Sequence, residues 1–155
     1  MPDETIDRLV AKEAITEVLH RYCRAVDRID DELAAGIWHP DGTASYEGGF
    51  EGLGSDQLAS IFDSHRLATA TSHQLANITI EVAGDRATSE SYVHACIRFG
   101  DKDIVVWGRY LDVWSRRAGT WGIDHRRYVQ DLIQIVSVDT EGLGAIVESV
   151  AKAAE

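Results

Sequence analysis

The first long segment of the chain carries apolar residues at helical spacing. Ile15, Val18, Leu19, Tyr22 and Val26 fall on one face of a helix predicted over residues 4–28, while Lys12, Glu13, Glu17 and Arg24 lie mostly elsewhere on the wheel. Asp31 is placed to cap a short helix over about 31–38, which should stop before His39-Pro40 because proline restricts the residue preceding it. A glycine-rich stretch follows from Asp41-Gly42 to Gly54, with Thr43–Tyr46 as a short strand, and then Ser55 or Asp56 starts a third helix reaching about Arg66.

Beyond residue 70 the period changes from helical to alternating. Strands are predicted over Ser72–Val82, Ala87–Phe99, Ile104–Trp114 and Trp121–Val136, joined by turns at Gly84-Asp85, Gly100–Asp103 and Arg117–Gly119. Three successive hairpins imply a curved antiparallel meander, and the N-terminal helices must cover its concave face to bury both apolar surfaces. Residues 140–155 are expected to form a C-terminal amphipathic helix or tail. The whole, 1–155 with a core of about 5–136, reads as one α+β domain.

Polar residues inside this pattern are the candidates for chemistry. Asp27 shares a helix face with Cys23 and His20, off the apolar stripe. It is either a surface acid or a held group, since a carboxylate at a helix C-terminus is unfavourably placed. His73 opens the first long strand in phase with Leu75, Asn77 and Thr79; a strand histidine is ordinarily structural, yet it exchanges a proton near neutral pH. His94 is in phase with Tyr92, Cys96 and Arg98, so that face is either solvent or a wet cavity. Arg126 and Arg127 point to opposite faces, and only one of them can enter a given cavity. Trp38, Tyr46 and the other large aromatics fit a core or an interface better than a ligand contact, since aromatics contribute large buried area in any fold.

Composition removes several functions. A formal charge of −11 repels phosphate backbones, so no nucleic-acid partner is expected. Apolar runs are too short for a membrane span, and residues 1–20 lack a secretory pattern. The 2 cysteines, Cys23 and Cys96, then read as reduced thiols in a cytoplasm. No dinucleotide fingerprint, Walker sequence, nucleophile elbow or spaced metal-ligand motif occurs, so neither cofactor nor metal is expected.

Several segments carry a family resemblance. Ile6–Leu9, Ala14-Ile15, Tyr22–Asp27, Trp38–Gly42, Ser72-His73 with Asn77, and the Gly119–Ile123 turn together resemble SnoaL-like proteins of the nuclear-transport-factor-2-like superfamily, over residues 5 to about 136. The resemblance implies a cone-shaped roll. Within the superfamily the pattern is most similar to the scytalone dehydratase, bile-acid 7α-dehydratase and dehydrochlorinase branch, whose first-helix Asp and first-long-strand His form a dyad. Asp27 and His73 match these positions, Tyr22 matches a tyrosine of the bile-acid enzyme, and His94 approximates a second histidine of scytalone dehydratase. The lysine of the dehydrochlorinase has no counterpart here, which argues against the same dehalogenation. The implied activity is a cofactor-free lyase or isomerase acting on a small, mostly apolar cyclic or aromatic compound. Its implied catalytic residues are Asp27, His73 and Tyr22, with His94, Arg126, Tyr46, Trp38 and Tyr92 against the substrate. The alternatives are a polyketide-type aldol cyclase and a non-catalytic module such as a dioxygenase β subunit. Aromatics on the convex sheet face point to a homodimer or homotrimer.

Overall fold

The computed structural model describes residues 2–138, and the C-terminal helix or tail expected at 140–155 lies outside the described residues. Its elements are α1 (Pro2–Arg28), α2 (Asp31–Ala34), β1 (Trp38–Tyr46), β2 (Phe50–Leu53), α3 (Gly54–His65), β3 (Ala70–Ala83), β4 (Arg86–Phe99), β5 (Lys102–Arg117) and β6 (Thr120–Ser137). Among these, no helix is long and apolar enough to cross a membrane.

The four long strands form the expected antiparallel meander. Gly84, Gly100 and Gly119 turn its hairpins with positive φ, a region that costs glycine little. The sheet as a whole is nevertheless mixed, in the order β2-β1-β6-β5-β4-β3, because β1 runs parallel to β6. This pairing joins residues some 80 positions apart, beyond the reach of any local pattern. The short helix is also shorter than 31–38: it closes at Ala35, and Gly36 adopts φ 74° before the chain extends into β1. Pro40 is tolerated in β1 because the β1–β6 register breaks between Trp38 and Thr43, where no ladder hydrogen bond is required of it.

The sheet curves around the helices as an open α+β cone. The predicted stripe of α1 (Ile15, Val18, Leu19, Tyr22, Val26) is buried against it, together with Leu58 and Phe62 of α3. From the sheet, Val93, Tyr110, Trp114, Ile123 and Tyr128 complete the core. Gly54 starts α3 directly over the Trp38 indole, where any Cβ would overlap the ring. The opposite, convex face exposes Tyr92, Trp107, Val113 and Leu132.

Candidate active site

Helix α1 and strand β3 meet along a seam, and Asp27 and His73 face each other across it. His73 Nδ1 lies 2.7 Å from Asp27 Oδ1, and the His73 backbone N–H donates to Oδ2 at 2.9 Å. The Thr71 hydroxyl, two residues earlier on the same strand face, donates to Oδ1 at 3.1 Å. Burial alone would raise the Asp27 pKa, but the side-chain and backbone donors of His73, with Thr71, hold it below the ordinary carboxylate value. An ionised carboxylate can only accept, so His73 Nδ1 carries the hydrogen, and in the neutral ring Nε2 carries the lone pair. His73 and Asp27 side chains are only 8% and 16% exposed.

A groove of about 460 Å³ runs along this seam, lined by His20, Cys23, Arg24, Asp27, Arg28, His73, Gln74 and Leu75. His20, Cys23 and Asp27 share it as their spacing on the helix requires. Cys23 is buried, and burial pushes its thiol up to about 12; Arg126 pulls it down and Asp27 pushes it further up. Both charges act on this one side chain, which therefore connects the dyad to a second polar cluster.

That cluster is built on Arg126. The β5–β6 register pairs Asp112 with Arg126, and the two form a bidentate ion pair at 2.8 Å and 2.8 Å, both side chains fully buried. The guanidinium lies 4.0 Å from the Tyr110 ring centre, 4.4 Å from Tyr22 and 5.4 Å from Trp38. Burial alone would lower the Arg126 pKa, but Asp112 overrides it and keeps the group charged. Arg126 Nη1 is buried with no hydrogen-bond partner among the described residues. Tyr22 Oη and Tyr46 Oη are 3.2 Å apart, and burial raises both phenols well above their usual value.

The expected site residues therefore separate. Asp27 and His73 come together. Tyr22, Tyr46 and Arg126 form the adjoining cluster, with Tyr22 bonded to Tyr46 and not to the dyad. Arg127 is on the other side of β6, paired with Glu47. Trp38 lines a different pocket of about 470 Å³ between α2, α3 and β1, together with Leu58 and Phe62. His94 and Tyr92 do not line the site. His73 is paired with Ala95, whereas His94 is opposite Gln74 and Trp107, so the alternation turns it to the convex face, where it packs on Trp107 at 4.8 Å. Tyr92 shares that face and is 46% exposed.

Other residues of the site were not singled out by the pattern. Thr71 was readable as the in-phase neighbour of His73. Asp112 interrupts the inward phase of Tyr110 and Trp114, a signal as clear as that of His73. His65 ends α3 and stacks on His73 with ring centres 5.5 Å apart and 28° between planes. Its place on the inward face with Leu58 and Phe62 follows from helical spacing. Among the described residues no group of His, Cys, Asp and Glu is arranged to hold a metal.

A family model described as a SnoaL-like domain matches residues 7–127. No curated protein matches the chain. A provisionally assigned scytalone dehydratase from Novosphingobium aromaticivorans superposes with a TM-score of 0.76 at 26% identity, over 87% of this chain and 93% of that one. A hexachlorocyclohexane dehydrochlorinase from Novosphingobium barchaimii gives 0.76 at 20% identity, over 85% and 94%. A protein of unknown function from Mycobacterium tuberculosis gives 0.71 at 25% identity, over 82% and 75%.

Proposed function

Since the chain belongs to the SnoaL-like family, we propose that it is a cofactor-independent lyase or isomerase in which His73 is the general base. One observation carries this reading: the 2.7 Å contact that commits His73 Nδ1 to Asp27 and leaves Nε2 free. Nε2 removes a proton from a carbon acidified by a neighbouring carbonyl or aromatic ring. Asp27 stabilises the imidazolium that forms. Arg126 and Tyr22 polarise the substrate oxygen, supported by the unpartnered Nη1 of Arg126.

In a dehydration, the carbanion electrons form the new double bond as the C–O bond breaks. His73 then returns its proton to the departing oxygen, so water leaves and the base is regenerated. In an isomerisation, the proton returns to another carbon. Neither outcome consumes a cofactor. The apolar side chain of Leu75 beside the polar groups of the groove suits a small cyclic or aromatic substrate.

The test is hydrogen exchange in D₂O. Cyclic and aryl ketones, with and without a β-hydroxyl, are incubated with the protein and followed by NMR for deuterium at the α-carbon and for loss of water. His73→Gln should slow exchange by about 10²–10⁴-fold. Rates within a few-fold of the parent would remove His73 as the base.

A further inference from the structure

His65 has no role in the reaction just described, yet its surroundings constrain it closely. It is 9% exposed and lies on the inward face of α3. Its Nδ1 is 3.0 Å from Ser64 Oγ. Ser64 has a single hydroxyl hydrogen, which it donates to the Ile61 carbonyl at 2.8 Å. Ser64 Oγ is thus left as an acceptor, and the hydrogen between the two atoms belongs to His65 Nδ1. The remaining nitrogen, Nε2, carries a lone pair, is buried, and has no partner among the described residues.

Burial, and then the neighbouring His73, hold the His65 pKa below its ordinary value, with Asp27 and the Ile61 carbonyl opposing them. The ring is therefore neutral at neutral pH, and Nε2 is an acceptor. An acceptor left unpaired in a buried place costs free energy that a ligand can recover. His65 stacks on His73 with ring centres 5.5 Å apart, so a substrate held at His73 is next to the His65 ring.

We propose that His65 Nε2 accepts a hydrogen bond from a substrate hydroxyl adjoining the carbon that His73 deprotonates, which makes the substrate a hydroxylated cyclic compound rather than an ether or hydrocarbon. This rests on the reading of His73 as the base. The hydroxyl keeps its proton throughout, so His65 orients the substrate and adds no chemical step. A carbonyl oxygen or ether placed there would meet a second lone pair and be rejected.

The experiment uses the full chain labelled with ¹⁵N at histidine, with phenol as the donor probe and fluorobenzene as its near-isostere lacking the O–H. Long-range ¹H–¹⁵N spectra should show His65 protonated at Nδ1, and phenol should move its Nε2 resonance towards the hydrogen-bonded range while fluorobenzene leaves it in place. His65→Phe, which keeps a ring against His73, should lower phenol affinity about tenfold and fluorobenzene affinity little. A His65 tautomer protonated at Nε2, or equal shifts with the two probes, overturns the proposal. The spectra need no turnover, so a failed exchange assay with an intact phenol response would reject only the base reading.

Discussion

Asp27 grips His73 twice, through the ring Nδ1 at 2.7 Å and through the backbone N–H at 2.9 Å, so one carboxylate sets both the ring's tautomer and the strand's position. The two bonds use different oxygens, and the Thr71 hydroxyl adds a third donor. A residue whose role was only to pair charges would not need the backbone contact. Together the three donors fix the His73 ring and its strand against α1.

Replacing Asp27 by Asn keeps the shape of this contact and removes the charge that favours the imidazolium. Turnover of any substrate deprotonated by His73 should fall by about 10²–10⁴-fold. The D₂O exchange rate measures it, with circular dichroism confirming the fold. Parent-like rates would show that the carboxylate only shapes the structure.

The same contact makes stability depend on acid. The Asp27 pKa is lowered in the folded chain. Its contribution is therefore fully present above the unfolded value of about 3.9 and is lost as pH falls through the lower folded value. Urea denaturation should show the parent more stable than Asp27→Asn at neutral pH, with the gap narrowing below about pH 4. A gap that stays constant with pH would contradict the assignment.

Asp112→Ala leaves the Arg126 guanidinium charged in a fully buried place. The expected loss is about 3–5 kcal/mol of unfolding free energy. The double variant Asp112→Leu with Arg126→Met should be distinctly milder, since it removes the unpaired charge. Denaturant midpoints of both variants decide the matter; a double variant as unstable as the single would mean that packing, not charge, dominates there.

Gly54→Ala forces a methyl into the Trp38 indole. Either α3 shifts or the indole moves, at a cost of about 1–3 kcal/mol. Because Trp38 lines the pocket under α2 and α3, its fluorescence should change along with the denaturation midpoint. An unchanged spectrum with parent stability would show that this contact is looser than described.

Local pattern and tertiary structure contributed differently to this protein. The stripe of α1, the strand phases of β3 to β6 and the glycine turns between them were legible because each depends on side-chain periodicity and backbone sterics within a few residues. The face shared by His20, Cys23 and Asp27 was legible for the same reason. Alternation along β4 separated His94 and Tyr92 from Val93 and Ala95, but alternation alone does not say which face turns inward. That was decided when the sheet curved around α1 and placed Ala95 beside His73. The parallel β1–β6 pairing, the Asp112–Arg126 ion pair and the stacking of His65 on His73 all join residues from separate elements. By itself the sequence determined which residues could face a common interior, because periodicity is local. Only the tertiary structure decided which of them meet, because contact across elements depends on how the sheet bends and where the helices settle upon it.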